Sequence, residues 1–321
     1  MRLSGITPSG HTHLGNYLGA VRRWASDGGP DDLYFVSDLH AMTTTHNPGK
    51  LRARTSEMLA ILVASGIPAQ RVFVQSDLSR ELGALTWVLE CTCSYGEAAR
   101  MIQFKEKGSG QPGVRLSLLT YPVLMAADIL LQGAAEVPVG EDQNQHVELA
   151  RALARRFNST YGEVFTVPRA VLPPTGARVR DLGDPASKMS KSARDAAGVV
   201  FVLDEPDLIR RKVRRAVTDG LSGVGYAPEE RPGVANLLEI LAGCRVGRPA
   251  DLAAEFSSYG ALKDAVTEAV IETLRPIRER TVELLADPPE LARIRKEGAT
   301  RAAARGEHRL TSAMRLIGAG A

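Results

Sequence analysis

The 321-residue chain predicts an α/β fold, a doubly wound parallel sheet with a smaller all-helical domain, and three features predict it. Over residues 1–75 short apolar runs alternate with amphipathic stretches, the pattern of parallel strands flanked by helices. From Pro168 to Pro185 the chain turns Pro-, Gly- and Arg-rich and loses periodicity, which marks a loop region between two parts. Beyond it, Pro206 to Leu285 carries helical patterns broken by the segment GLSGVGYAPEERPG.

Taken in order, Leu3 to Gly5 reads as strand, Asn16 to Ser26 as helix and Leu33 to Asp38 as strand. Pro48 to Ser65 reads as helix, with proline in the first turn, where its missing N–H costs nothing, and Val72 to Gln75 as strand. The window Glu81 to Cys93 sets Leu82, Leu85, Leu89 and Cys93 on one helical face, and Leu118 to Leu131 is apolar enough for a helix buried on most sides. Glu136 to Val139 then reads as strand, Gln143 to Phe157 as helix, and Ala299 to Ile317 as one amphipathic helix. This divides the chain into a sheet domain over 1–187, rejoined by the final helix 299–317, and a helical unit over 188–298.

Composition sets limits on function. With 44% hydrophobic and 24% charged residues the chain has enough apolar material for a substantial core. No run approaches the ~18 uncharged apolar residues that cross a bilayer. The start MRLSGITPSG carries neither a signal core nor a transit pattern, so a cytoplasmic location is expected. Cys91, Cys93 and Cys244 form no CxxC pair and have no histidines at metal-ligand spacing, so they read as free thiols with no metal site. A net charge of +3 is too small for a polycation, and any nucleic-acid partner needs a local patch.

Two segments suggest a nucleotide. In a doubly wound sheet ligands sit at the carboxyl ends of the strands, which makes the loop Thr7 to Asn16, including Ser9, the expected place. Gly10 and Gly15 let backbone approach a ligand, the following helix offers its N-terminus to phosphate, and His13 and Asn16 offer side-chain hydrogen bonds. By itself such a loop is equally a plain connection with a surface histidine. Lys188, Met189, Ser190, Lys191 and Ser192 spell KMSKS, two ammonium groups able to swing onto the β- and γ-phosphates of ATP as pyrophosphate leaves. Alone, it is also a common kind of surface loop.

The ordered set HLGN, QFKEK (Gln103 to Lys107), YPVLMAADIL (Tyr121 to Leu130), PVGEDQ (Pro138 to Gln143) and KMSKS resembles the bacterial-type tryptophanyl-tRNA synthetases of class I. The resemblance covers residues 3 to about 195, and the segments AVTDG at Ala216 and VIETLRPIRER at Val270 extend it. It implies a Rossmann-like catalytic domain, with the KMSKS loop and a helical anticodon-binding domain over 188–298. By that resemblance His13 to Asn16 fill the family's HIGH signature, with Asn16 replacing its second histidine. Lys188, Lys191 and Ser192 belong to the mobile loop, and Lys107 is a further phosphate-directed lysine. Gly140 and Asp142 match residues near ribose and adenine. Asp128 corresponds to the carboxylate that accepts the indole N–H. Tyr121, Gln143 and Gln103 match residues around the amino and carboxylate groups, Met125 and Val139 line the ring pocket, and His40 stands near the substrate.

The chemistry of the residue itself agrees with what the resemblance implies for Asp128. An aspartate inside MAADILL is costly to bury without a partner, and an acceptor facing an indole N–H rejects phenylalanine, which would leave it unpaired. A helix residue capping neighbouring backbone is the plainer alternative. Other features take plain readings: the GxGxxG at Gly108, Gly110 and Gly113 follows a charged stretch rather than a strand and is a loop. His146 reads as a helix-surface or supporting residue, and Trp24 and Trp87 as packing residues. The basic run IRRKVRR (Ile209 to Arg215) is either a solvated face or a tRNA-backbone contact. Thr7 departs from the family, where glutamine is usual.

The resemblance implies a tryptophan–tRNA ligase that forms tryptophanyl-adenylate from L-tryptophan and Mg-ATP and transfers it to tRNA(Trp), without a covalent enzyme intermediate. Magnesium is expected with ATP, held by phosphates and water, and no tightly bound cofactor is expected. A homodimer, with one tRNA bridging both subunits, is likewise implied. Residues 76–135, ahead of the GEDQ strand, leave no room for an editing domain. The alternatives are the tyrosine-specific relative, a non-catalytic tryptophan or tRNA sensor, and a HxGH-type nucleotidyltransferase.

Overall fold

A computed structural model describes residues 1–107, 113–140, 143–171, 179–190, 196–245 and 247–319, without the side chain of Lys107. Strands β1 (Leu3–Ile6), β2 (Leu33–Val36) and β3 (Val72–Val74) pair in parallel in the order β1-β2-β3. Strands β4 (Glu136–Pro138) and β5 (Arg169–Val171) pair in parallel with each other. A parallel bridge from Arg2 to Glu136, with the Ala135 and Glu136 N–H groups donating to the Met1 carbonyl at 3.2 and 3.3 Å, sets β4 beside β1. The strands therefore run β5-β4-β1-β2-β3. The chain winds one way from β1 and the other way from β4, the doubly wound arrangement.

Alternation along the strands explains why both faces are covered. Tyr34 and Val36 of β2 and Val72 and Val74 of β3 enter one core with Leu14, Val21 and the helix Pro48–Ala64. Leu33, Phe35 and Phe73 point the other way, into a second core with helices Ser79–Thr92, Leu116–Gln132 and Asn144–Tyr161. Strands buried on both faces need continuous apolar sequence, which LYFV and VFV supply. The first core continues into helices Pro232–Cys244 and Tyr259–Ala286 of the later half, through Leu237, Leu241, Val266 and Val270.

Several elements differ from the sequence reading. β5 lies inside the stretch read as loop; it is a three-residue strand with Arg169 exposed, too short to leave an alternating pattern. β2 stops at Val36, and Asp38–Ala41 is a separate helical turn that carries His40. The helix read from Asn16 begins at Leu14 and contains a π turn over Tyr17–Val21. The last helix is Pro288–Leu316, capped by the Asp287 side chain on the Glu290 N–H, so it starts well before residue 299. Gly298 sits inside it at the closest approach to the sheet, where a β-carbon would run into the Val72 carbonyl of β3. That helix is tied to the sheet by Arg295 on Asp77 (2.7 Å) and by the Gln132 amide donating to the Ala302 carbonyl (3.1 Å).

Trp24 stacks on Tyr34 at 4.9 Å between ring centroids, whereas Trp87 is 68% exposed. His146 is buried rather than on a helix surface. Among the described residues no helix is long and apolar enough to cross a membrane.

Candidate active site

β1 and β4 are neighbours whose connections leave in opposite directions, so the crevice for a ligand opens beyond their carboxyl ends. Thr7 follows β1 directly and Val139 and Gly140 follow β4. Thr7 hydroxyl is hydrogen-bonded to Ser37 hydroxyl (2.9 Å), joining the ends of β1 and β2. Ser9 is exposed, and its carbonyl accepts from the Arg54 guanidinium (3.0 Å).

The HLGN loop is built as a helix start. His13 is the N-cap: the Asn16 N–H donates to His13 Nδ1 and the His13 N–H donates to Asn16 Oδ1, both at 3.3 Å. An imidazole that accepts at Nδ1 carries its proton on Nε2 when neutral, which makes Nε2 the donor side. A β-carbon at Gly15 would stand 3.1 Å from His13 Nδ1, so glycine there protects the ring position. The loop is also pinned from across the chain. Leu14 N–H donates to Val200 carbonyl (2.8 Å), Val202 N–H donates to Thr12 carbonyl (2.9 Å), and His13 bridges Phe201 in antiparallel fashion.

Of the KMSKS segment, Lys188 is exposed and bridges Arg180, while the Met189 N–H donates to the Val179 carbonyl (3.2 Å). Met189 is buried in the first core with Val179 and Leu182. Its side chain therefore anchors the loop and is turned away from any ligand; what it can offer ATP is backbone. Ser190 follows at the surface of that anchor. Lys191, Ser192 and Asp142 lie outside the described residues, as do Gly108 and Gly110 of the glycine loop and the side chain of Lys107.

A buried polar cluster stands beside the crevice, on helix Leu116–Gln132 and the end of β3. Asp128, 2% exposed, lies on helix Leu116–Gln132 on the same face as Tyr121 and Met125, at the one- and two-turn spacings that align side chains. Gln75 Nε2 donates to both Asp128 oxygens (3.0 Å to Oδ1, 2.8 Å to Oδ2), and His40 Nε2 stands 3.0 Å from Oδ2. Gln75 Oε1 accepts from the backbone N–H of Leu39 and of His40 (3.1 and 3.4 Å), so one side chain orients both the carboxylate and the histidine turn. Oδ1 carries one donor against two on Oδ2, which leaves Oδ1 the better placed to accept another. Burial pushes the Asp128 carboxyl above its ordinary range, opposed by the hydrogen bonds from His40 and Gln75. Tyr121 hydroxyl pairs with His146 Nε2 at 2.8 Å, and the Tyr121 and His40 rings meet edge-on at 6.1 Å.

Gln103 sits on the short helix Ile102–Lys107, which two staples hold to helix Asn144–Tyr161. Gln145 accepts from the Ile102 N–H (2.9 Å) and donates to the Arg100 carbonyl (3.3 Å). Arg156 grips Glu97 through both carboxylate oxygens (2.6 and 2.9 Å), and with the Ser94 cap this pulls the Glu97 pKa down to about 2. Gln143 is drawn back by its N–H on the Gly140 carbonyl (3.0 Å), and Met125 and Val139 are half-buried against the second core. Thus Asp128, His40 and Tyr121 come together, with Met125 on the same helix face, while Thr7 follows β1, Gly140 follows β4, and His13 and Asn16 cap one another.

Sequence reasoning missed Gln75, read only as the last residue of a strand. The signal was present: a polar side chain ending a run as apolar as VFV stands at the ligand edge of a parallel sheet. It also placed Lys212 in a basic run facing solvent or tRNA, whereas Lys212 is buried and paired with Asp204 at 2.6 Å.

A family model described as "tRNA synthetases class I (W and Y)" matches residues 2–275. The chain is 54% identical to tryptophan–tRNA ligase 1 of Streptomyces coelicolor, over 98% of this chain and 96% of that one. It is similar to the crystal structure of tryptophanyl-tRNA synthetase from Mycoplasma pneumoniae, with a TM-score of 0.86, 33% identity, and coverage of 99% and 97%. It is equally similar to the Campylobacter jejuni tryptophanyl-tRNA synthetase complexed with ADP and tryptophan, with a TM-score of 0.85, 31% identity, and coverage of 99% and 100%.

Proposed function

This chain belongs to the class I tRNA synthetases of the tryptophan and tyrosine family, and from that membership we propose that it is a tryptophan–tRNA ligase. The observation that carries the choice of amino acid is Asp128, a buried carboxylate oriented by Gln75 and His40 with Oδ1 left to accept. An indole N–H meets that oxygen; a phenyl ring offers it nothing. Because Asp128 is closed off from solvent, the ring enters by side-chain movement. Met125, flexible, half-buried and one turn earlier on the same face, is suited to make room.

The tryptophan carboxylate attacks the α-phosphorus of Mg-ATP, forming tryptophanyl-adenylate as pyrophosphate leaves. A ribose hydroxyl of the terminal adenosine of tRNA(Trp) then takes the acyl group, and AMP leaves. Neither step asks for a protein nucleophile. Tyr121, Gln103 and Gln143 hold the amino and carboxylate groups, and the loop Thr7 to Asn16 with Ser9, Gly15 and Gly140 holds the nucleotide. Lys107, Lys188 and Lys191 neutralise the phosphates. Magnesium enters as part of the substrate. The homodimer fits the exposed faces of Trp87, Tyr95 and Leu116, at 68, 75 and 72% exposure on three helices that pack together. Light scattering is expected to read the mass of two chains; a monomer at micromolar concentration would remove that part.

The test of the whole reading is charging. Purified protein with tryptophan, ATP and tRNA(Trp) is expected to yield tryptophanyl-tRNA, whereas tryptophan binding without charging would make it a sensor.

A further inference from the structure

One buried ion pair is left over by this chemistry. Lys212, on helix Pro206–Arg214, donates from Nζ to Asp204 Oδ2 (2.6 Å) and to the Val199 carbonyl (2.7 Å), and its ammonium lies 4.9 Å from the centre of the Phe201 ring. Asp204 Oδ2 also accepts the Phe201 N–H (2.9 Å), and the Asp204 N–H donates back to the Phe201 carbonyl (3.2 Å). Both side chains are buried. The pair is therefore a clamp around residues 199–204.

That strap is the stretch to which the HLGN loop is bonded, through Val200 to Leu14, Val202 to Thr12 and the bridge of Phe201 to His13. At its other end Gly198 accepts from the Leu182 N–H (2.9 Å), just ahead of KMSKS, and Leu182 in turn accepts from the Val217 N–H (2.8 Å). The strap thus touches the HLGN loop directly, while Gly198, just before it, is joined to Leu182, ahead of KMSKS. A buried ion pair is a poor stabiliser, since two desolvated charges gain little over apolar side chains of the same shape. What it does well is fix geometry, because each charge demands its partner in one place.

Resting on the reading of these two loops as the ATP site, we propose that Lys212 and Asp204 are positioning residues for ATP. They hold strap 199–204 so that the His13–Asn16 loop bonded to it keeps its place during adenylate formation. The tryptophan cluster stands on helix Leu116–Gln132 and the end of β3, on elements the strap does not carry, so its ligand is left alone.

The double variant Lys212→Met with Asp204→Asn removes both charges while keeping shape. It is expected to melt close to the unmodified protein and to bind tryptophan within about twofold in equilibrium dialysis, while kcat/KM for ATP in tryptophan-dependent ATP–pyrophosphate exchange falls on the order of tenfold to a hundredfold, the scale of a small misplacement. A folded double variant with kcat and KM for ATP within about twofold of the original would overturn the proposal. Should the double variant not fold, Lys212→Arg keeps the charge but replaces the compact ammonium by a longer, planar guanidinium that displaces Val199 and Asp204 from the places Nζ holds them. It is expected to show the same ATP-selective loss, and an unaltered exchange rate in it overturns the proposal equally. Absence of tryptophan-dependent exchange in the unmodified protein would instead remove the functional reading itself.

Discussion

Asp128→Ala is expected to raise the KM for tryptophan on the order of tenfold to a hundredfold and to collapse selection against phenylalanine. A site that hydrogen-bonds its substrate's N–H can reject the analogue lacking it by about 10⁴ to 10⁵, and most of that ratio depends on the buried acceptor. Truncation removes the acceptor and also orphans two donors, Gln75 Nε2 and the His40 ring, each costing about 1–3 kcal/mol when buried and unpaired. Gln75→Leu is expected to act in the same direction and more weakly, since it leaves the carboxylate in place but unoriented. Unchanged KM and unchanged discrimination in Asp128→Ala would remove its assigned role.

The same residue gives a pH dependence of known sign. Burial raises the Asp128 carboxyl, so in the folded protein it holds its proton to higher pH than in the unfolded chain. Its contribution to stability therefore declines as pH rises from the ordinary carboxylate range through the raised folded value. Tryptophan affinity runs the other way, because the ionised acceptor binds the indole N–H better, and it strengthens across that window. In Asp128→Asn this slope is expected to vanish.

Lys191→Ala is expected to lower the adenylation rate by about 10² to 10³, the usual loss when one preorganised charge leaves a transition state. ATP ground-state binding, measured by dialysis, is expected to shift only severalfold, because the negative charge this lysine meets grows as pyrophosphate departs. Lys188→Ala is expected to behave alike. Met189, buried in the same core as Val179 and Leu182, anchors the chain directly after Lys188. An equal loss in ATP binding and in rate would mean uniform phosphate binding instead.

How much of this was legible depended on whether a residue's role was local. β2 and β3 announce themselves because strands buried on both faces must be apolar throughout, and the resemblance singled out Asp128, His40 and Tyr121, which the fold brings beside one another. β5 was missed because three residues with Arg169 exposed leave no pattern. The last helix reads from Ala299 although it starts at Pro288, and the contact of Gly298 with the Val72 carbonyl that seats its first half on β3 is long-range and leaves no local pattern. Lys212 misled for a similar reason, since its partner Asp204 and the Val199 carbonyl are brought to it by a fold the charge run does not encode. Trp87 shows the converse: an aromatic read as a packing residue stands 68% exposed.

The most direct measurement is ATP–pyrophosphate exchange with tryptophan, tyrosine and phenylalanine offered one at a time to the unmodified protein. Exchange with tryptophan is expected, with kcat/KM for the other two lower by about 10⁴ or more, tyrosine being refused by shape and phenylalanine by the unpaired carboxylate. Exchange with tyrosine and none with tryptophan would contradict the assignment of Asp128 as the indole acceptor and of the chain as a tryptophan–tRNA ligase.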